Sequence, residues 1–191
     1  MKKANVKSAE QALISKLIFN AVAPRPIAWI TTLNENGSVN LAPFSFYNAI
    51  TTKPPLLFVS IGKRKDGSEK DTIRNIKRTG EFVINVVNEN FLEPMVESGK
   101  DFPPGESEIE KLQIETLPSE IVSPPIVKGV PAALECKVKE IIELGTTPMS
   151  VVVGEVVFIH YNEELLKTQK GIVGRLGGKR YIVIEKEINL L

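Results

Sequence analysis

The stretch IAWITTLNENGSVNLAPF, residues 27–44, predicts a β-hairpin and with it the fold class. Its first half is rich in β-branched and aromatic residues, NENG is a turn in which Gly37 can adopt positive φ, and SVNLAPF returns. Similar strand patterns recur at residues 56–62, 81–88, 131–145, 149–162 and 179–188, separated by turn signals and by a loop expected at 163–178. Two or three short helical patterns accompany them, the first at residues 9–17. This order predicts a mainly β protein with an antiparallel barrel, rather than a parallel doubly wound sheet.

The composition predicts one domain, residues 1–191, with no global charge. Lys plus Arg is 24 against Asp plus Glu 23, which argues against a nucleic-acid partner or an anionic membrane. No apolar run approaches the roughly 18 residues that cross a bilayer, and the N-terminus lacks a signal-peptide core, so we expect a cytoplasmic location. One cysteine and one histidine argue against a disulfide or a metal centre. Cys136 is expected to be buried in a strand.

The charged loop SIGKRKDGSEKDTIRNI, residues 60–76, has two interpretations. Ser68 stands three residues before Asp71, so a helix is expected to begin near Ser68 to Lys70, with Ile73 and Ile76 on one face and its end at Gly80. Helix N-terminal amides together with Arg64 and Lys70 would suit a phosphate. Alternatively, the loop is a solvated turn whose charges pair with one another and add little stability.

Three other segments carry candidate functional residues. The stretch 40–55, NLAPFSFYNAITTKPP, is too irregular for a plain strand, and it suits either a flat heteroaromatic ligand or a core crossover. His160 ends a strand and could be structural or a catalytic donor. In GIVGRLGGKRY, residues 171–181, Arg175 could meet an anion and Tyr181 could stack, although no Rossmann or P-loop spacing is present.

Taken together, these segments resemble the flavin reductase-like family of FMN-binding split barrels, which includes flavoredoxins and ferric reductases. The matching pieces span most of the chain in the family's order: RPIAWITT from Arg25, NLAPFSFYNAI from Asn40, KPPLLFVSIG from Lys53, KDTIRNI from Lys70, TGEFVINVVN from Thr79, GEVVFIHYNEELL from Gly154 and RLGGKRY from Arg175. An acidic excursion at about residues 90–120 is poorly matched, and in such proteins it could set substrate access.

The resemblance implies a Greek-key split β-barrel with a few short helices, and a homodimer that binds FMN near the subunit interface. Along the flavin ring and ribityl chain it places Thr31, Thr32, Ala42, Pro43, Phe44, Ser45, Phe46 and Asn48. Around the phosphate or its supporting shell it places Ser60, Gly62, Arg64, Lys70, Asp71 and Thr72. Near the ring or the nicotinamide approach it places His160, the candidate catalytic residue, with Arg175 and Tyr181. Since like charges repel, Asp71 is expected to orient Lys70 or cap the helix.

The implied function is an NAD(P)H-dependent flavin or ferric reductase that passes electrons to a small-molecule acceptor or a redox protein. Such an enzyme needs no acid–base pair, because the cofactor supplies the hydride chemistry. The alternative is a non-enzymatic FMN-binding electron carrier of the flavoredoxin kind. A nucleic-acid-binding barrel using the 63–65 tip is a weaker third, because aromatic residues are not interleaved with a basic face.

Overall fold

The computed structural model describes residues 1–146 and 149–188. These residues contain eleven strands and four short α-helices. The helices are α1 (Gln11–Ala21), α2 (Asp71–Thr79), α3 (Leu92–Ser98) and α4 (Glu108–Lys111). The strands are β1 (Ala28–Leu33), β2 (Val39–Phe44), β3 (Tyr47–Thr52), β4 (Pro55–Ile61), β5 (Glu81–Val86), β6 (Thr116–Leu117), β7 (Ile126–Val127), β8 (Ala132–Leu144), β9 (Met149–Tyr161), β10 (Val173–Arg175) and β11 (Tyr181–Val183). Two 3₁₀ turns lie at Glu89–Phe91 and Glu163–Leu166.

The predicted hairpin is formed by β1 and β2, which pair antiparallel from Ala28 opposite Phe44 to Leu33 opposite Val39. Gly37 in the turn has φ of 84°, a left-handed conformation that glycine adopts without steric cost. The hairpin prediction is therefore confirmed.

Seven antiparallel strands form one sheet in the order β2-β1-β5-β8-β9-β4-β3. Strands distant in sequence lie side by side, with β1 against β5 and β4 against β9, as in a Greek key rather than a meander. The two outermost strands, β2 and β3, are joined by only Ser45 and Phe46, so the sheet curls round on itself at this bend. Within the described ranges no ladder joins β2 to β3. The mainly β, antiparallel split barrel is therefore confirmed.

The stretch 40–55 corrects one expectation, since it holds the end of β2, the bend and the whole of β3 instead of an irregular crossover. Residues Asn48–Thr52 of β3 are exposed. Asn48, Thr51 and Thr52 supply the polar side chains that suit a strand at the edge of a sheet, where one face and one hydrogen-bonding side meet water.

The barrel interior is an apolar cluster that α2 joins. Ile73 and Ile76, three residues apart on one face of α2, lie in the same buried cluster as Ile30, Phe82 and Cys136. This confirms the predicted helix face and the buried cysteine. Burial raises the pKa of the Cys136 thiol well above its ordinary range, so it stays protonated.

The start of α2 lies within the predicted range, but the capping residue differs from the prediction. The helix begins at Asp71 with Lys70 as its N-cap, and it ends at Gly80 with φ of 70°, as the sequence predicts. Ser68 does not cap it, because its amide and hydroxyl both donate to Oδ1 of Asp66, at 2.9 and 2.6 Å. Ser68 is thus bound to the carboxylate of Asp66, and Lys70 takes the N-cap position.

A second apolar layer covers the outer face of the β1–β2 hairpin. Trp29 and Leu41 pack there against Met95 of α3, Ile109 of α4 and Val173 of β10. The acidic excursion, which supplies α3 and α4, therefore folds onto the barrel. Because α2 and the barrel core cover one face and the excursion covers the other, β1 is buried on both sides.

Three smaller differences concern the ends of the chain. The predicted first helix at 9–17 runs instead over Gln11–Ala21, and the expected loop at 163–178 contains a 3₁₀ turn and β10. The last strand is only three residues long, from Tyr181 to Val183. Among the described residues, no helix has both the length and the apolar character needed to span a bilayer.

Candidate functional site

Three adjoining cavities follow the end of β2 and the bend after it. The helix cavity, about 50 Å³, lies between Ala42 and the start of α2. The central groove, about 1060 Å³, lies between β2, α3 and the β10–β11 ribbon. The bend pocket, about 410 Å³, lies around Phe46. The first two share Pro43, Gly99 and Lys100, while the last two share Ser45, so together they form one continuous surface.

Most of the residues that the resemblance implies lie on this surface. In the helix cavity are Ala42, Pro43, Arg64, Lys70, Asp71 and Thr72. In the central groove are Pro43, Ser45, Arg175 and Tyr181. In the bend pocket are Ser45, Phe46, Asn48 and Ser60. Residues from four separate segments of the chain thus meet along one strip of the barrel surface.

Hydrogen bonds hold the Arg64 side chain beside the N-terminus of α2. Its Nη2 donates to Oδ2 of Asp71 at 2.8 Å, and its Nη1 donates to the carbonyl of Phe102 at 2.9 Å. Asp71 also pairs with Arg74 and accepts from the amide of Gly105 at 3.3 Å. Asp71 therefore orients Arg64 and not Lys70, which corrects the expected partner. The Nε of Arg64 is buried and has no hydrogen-bond partner among the described residues, so one oriented donor is left over.

Lys70 supplies the second cation of the helix cavity. It makes no ion pair within the described ranges, and its ammonium lies 5.7 Å from the centre of the Phe44 ring. Burial lowers the pKa of Lys70, and the charge of Asp101 opposes that effect. As the N-cap of α2, Lys70 stands beside first-turn amides that have no partner within their own helix. This combination suits an anion with several oxygen atoms.

Glu108 is a buried carboxylate in the wall of the same cavity, and the sequence reasoning missed it. Its Oε2 accepts from the amide of Leu41 at 2.8 Å. The pKa of Glu108 is raised to about 7, mainly by burial. The hydrogen bond from the Leu41 amide acts to lower this pKa, and the charge of Asp71 acts to raise it. The Ser107–Glu110 spacing predicts a helix start here, and Ser107 does cap α4. No local sequence pattern indicates that the Glu108 side chain is buried.

Arg25 is the second residue that the sequence reasoning left without a role. It is 7% exposed, and its guanidinium donates to the carbonyls of Val22 at 2.7 Å and Leu176 at 2.8 Å. Its Nε lies 3.5 Å from Oγ of Ser45, and its Cζ lies 5.8 Å from the centre of the Phe46 ring. Arg25 therefore ties the bend after β2 to the end of α1 and to the loop before β11. The only signal was its place between two prolines in PRPIAW.

Comparison with known proteins identifies the fold. Residues 21–174, most of the chain, match the flavin reductase like domain. The chain belongs to the flavin reductase-like family.

Two solved structures of this fold are similar over nearly their whole length. Nitrilotriacetate monooxygenase component B from Bacillus cereus has a TM-score of 0.91 at 33% identity, covering 100% of this chain and 98% of that one. The 2-nitrobenzoate 2-nitroreductase NbaA from Pseudomonas fluorescens has a TM-score of 0.87 at 32% identity, covering 100% and 95%. By sequence, the uncharacterized protein BH2278 of Halalkalibacterium halodurans is 41% identical over 177 residues, which is 87% of this chain and 84% of the relative.

Two of the implied flavin contacts do not reach the surface strip in this family member. Thr31 and Thr32 are fully buried. The hydroxyl of Thr31 donates to the carbonyl of Pro125 at 2.6 Å, while that of Thr32 accepts from Asn40 at 3.2 Å and Asn75 at 3.0 Å. Because both faces of β1 are covered, these hydroxyls serve internal contacts. Thr32 links α2 to the hairpin through Asn75, and Thr31 links β1 to the loop at Pro125.

Two further implied residues, Phe44 and Gly62, also lie apart from the cavities. Phe44 is in the barrel core, where it is 8% exposed. Gly62 lies against Met149, whose sulfur would be 3.1 Å from a Cβ added at Gly62. Both positions shape the barrel beneath the strip and do not line it.

His160 is bound to a structural carboxylate and does not line the surface strip. Its Nε2 lies 2.6 Å from Oε1 of Glu135. Although burial opposes it, hydrogen bonds from the backbone amide of Glu120 and from His160 hold the pKa of Glu135 below its ordinary value. Glu135 also accepts from the amides of Ile121 and Val122, at 2.7 and 3.0 Å. In the structure the His160 ring anchors the 120–122 loop through Glu135, and a catalytic role for His160 stays a prediction from the resemblance.

Arg175 and Tyr181 face each other across the β10–β11 ribbon. The Arg175 guanidinium donates to the Tyr181 hydroxyl and to the carbonyl of Gly178, and it lies 4.6 Å from the centre of the tyrosine ring. These contacts stiffen one wall of the central groove. The Arg175 guanidinium, which was predicted to meet an anion, thus uses part of its hydrogen-bond donors within the ribbon.

The residues of the helix cavity fit the phosphate end of a flavin nucleotide, the ligand class of this family. Among the described residues, Nε of Arg64 has no hydrogen-bond partner and the Lys70 ammonium makes no ion pair, so the cavity contains two available donors. A carboxylate-bound guanidinium and a helix start are features of phosphate sites in proteins. The adjoining groove is large enough for a ring system, since ligand sites typically occupy about 300 to 1,000 Å³.

Proposed function

We propose that this protein binds FMN and acts as an NAD(P)H-dependent reductase, passing electrons to free flavin, a ferric chelate or a partner redox protein. The observation that carries the proposal is that Arg64 and Lys70 lie in the same cavity at the start of α2, next to the central groove. Taking a hydride from the nicotinamide and releasing electrons to an acceptor is the chemistry that FMN supplies when bound.

The work of the chain is binding and orientation. Lys70 and Arg64 hold the phosphate charge, and Asp71 keeps the Arg64 guanidinium in one orientation. The small side chains of Ala42 and Ser45 leave room for a flat ring along β2, and Arg25 fixes the bend that presents Ser45. No acid–base pair is required for hydride transfer itself, in agreement with the placement of His160 outside the strip.

A homodimer is part of the proposal. Large apolar side chains on β9 are exposed in the single chain, with Phe158 at 40%, Ile159 at 51% and Tyr161 at 56%. Adjacent apolar side chains of this size are typical of surfaces that associate. Sedimentation of the purified protein at several concentrations measures the oligomeric state, and a monomer at all of them would remove this part of the proposal.

The direct test is the visible spectrum of the purified protein saturated with FMN, recorded without oxygen before and after NADH or NADPH. We expect the oxidised flavin absorption to bleach with at least one nucleotide, and to return when a ferric chelate is added. A bound flavin that neither nucleotide bleaches would favour the electron carrier, since the same pocket serves both functions. A protein that does not bind FMN would overturn the proposal.

The phosphate assignment has its own test in Lys70→Gln. We expect FMN to bind roughly 10- to 100-fold more weakly, the value of one charge-assisted hydrogen bond, and riboflavin to bind almost as before. Lys63→Gln is the matched control, because Lys63 is an exposed lysine of the same loop. Equal losses for both ligands would place the phosphate elsewhere.

A further inference from the structure

The helix cavity contains a carboxylate that its expected ligand should repel. Glu108 is 6% exposed, belongs to α4 of the acidic excursion, and lies in the cavity wall. An anion at Arg64 and Lys70 would therefore enter beside a buried acid. A buried negative charge next to a bound phosphate is costly unless one of the two is neutralised.

The charges around the cavity make the state of Glu108 decisive. Three cations and three carboxylates line it: Arg64, Lys70 and Lys100 against Asp71, Asp101 and Glu108. The strand β2 contributes only uncharged side chains to this cavity. With Glu108 ionised the net charge of the lining is zero, and with Glu108 protonated it is +1. The other two carboxylates are less free to change, since Asp71 pairs with Arg64 and Arg74, and Asp101 pairs with Lys65 on the surface.

We propose that Glu108 takes up a proton when the phosphate of a flavin nucleotide enters the helix cavity, which links binding of the nucleotide to pH. This inference rests on the proposed FMN site. Asp71 is also buried in the wall, but it pairs with Arg64 and Arg74, whereas Glu108 pairs with no cation among the described residues. Proton uptake removes this uncompensated charge, and it leaves Glu108 with an O–H that can donate. The bond from the Leu41 amide to Oε2 needs no change, because a neutral carboxyl group accepts it as well.

Burial already places Glu108 close to this transition. Its pKa is raised to about 7, so near neutral pH a modest added repulsion changes its protonation. The phosphate itself acts in the opposite sense. Its second pKa is about 6, and the cations of the cavity would favour its loss of a proton. Proton uptake on binding at a slightly alkaline pH is therefore a signature of the protein and not of the ligand.

The test is calorimetric titration of the protein with FMN at about pH 7.5, in buffers with different heats of ionisation, which gives the number of protons exchanged. A like charge raises a carboxyl pKa by about one unit or more, so we expect uptake of roughly half a proton in the wild type. Riboflavin, which has no phosphate, should cause almost none. Glu108→Gln should bind FMN with almost no uptake, and its FMN affinity should stop falling as the pH rises from about 6.5 to 8.5.

Glu110→Gln is the matched control, because Glu110 is an exposed acid of the same short helix and should leave the uptake unchanged. FMN binding without proton uptake in the wild type, or with equal uptake in Glu108→Gln, would overturn the inference and leave the proposed function standing. Failure of the wild type to bind FMN would remove both. If Glu108→Gln does not fold, the wild-type comparison decides the question, since equal uptake with FMN and riboflavin would contradict a response to phosphate.

Discussion

Glu108→Gln should change how the stability of the ligand-free protein depends on pH. In the unfolded chain Glu108 titrates at its ordinary value of 4.5, whereas burial raises its pKa in the folded protein to about 7. Between these values the folded state binds more protons than the unfolded state, so the stability from this group is present below about pH 4.5 and is lost as the pH rises through about 7. The full gap corresponds to about 3 kcal/mol.

Urea unfolding of wild type and variant at about pH 5.5 and 8.5 captures about 2 kcal/mol of that gap. Glutamine resembles the neutral acid and can still accept from the Leu41 amide. The free energy of unfolding of the variant, relative to that of the wild type, should therefore rise by this amount between the two pH values. The difference between the two proteins cancels the titration of all other groups. Glu110→Gln should show a constant difference. A constant difference for Glu108→Gln as well would refute the reasoning, because Glu108 would then titrate as an ordinary surface acid.

The remaining predictions concern the scaffold around the site. A Cβ at Gly154 would lie 2.5 Å from Cζ of Phe82 in the core, so Gly154→Ala should lower the free energy of unfolding by about 1 to 3 kcal/mol, and Phe82→Leu should restore part of it in urea titrations. His160→Ala removes the partner of Glu135 and should speed amide hydrogen exchange in the 120–122 loop; unchanged exchange would contradict the anchoring role. Arg25→Lys loses the planar guanidinium that donates to three backbone carbonyls, and it should lower the free energy of unfolding by about 2 kcal/mol; a loss under about 0.5 kcal/mol would show that the positive charge alone suffices.

Local patterns were sufficient for the parts of the fold that local chemistry determines. The alternation in 27–44 and the turn at Gly37 predict the hairpin, and the spacing of Ile73 and Ile76 with Gly80 predicts both the buried face and the end of α2. The start of α2 lies within the predicted range, but the capping role of Ser68 was wrong, because Asp66, a competing acceptor two residues away, binds Ser68. Two acceptors at similar distance in sequence offer no basis for choosing between them before the loop is folded.

The site was predictable to the extent that it depends on one segment. Arg64 and Lys70 are six residues apart, and the helix that follows brings them to one cavity. Thr31 and Thr32 fit a strand end in the sequence, yet packing on both faces of β1 buries them. Burial of this kind depends on segments that are distant along the chain, since Thr31 contacts Pro125 and Thr32 contacts Asn75 of α2, and no periodicity within β1 indicates it.

The two sides of the helix cavity have different origins, and this division suggests how its properties are distributed. The loop before α2 and the helix start supply Arg64, Lys70 and Asp71, which together carry a net positive charge. The excursion supplies Lys100, Asp101 and Glu108, which together carry a net negative charge when Glu108 is ionised. The first group contains the donors that a phosphate needs, while the second contains the group whose proton changes the balance. Changes in the excursion should therefore alter the pH range of nucleotide binding more than the ability to bind, whereas changes at Arg64 and Lys70 should do the reverse.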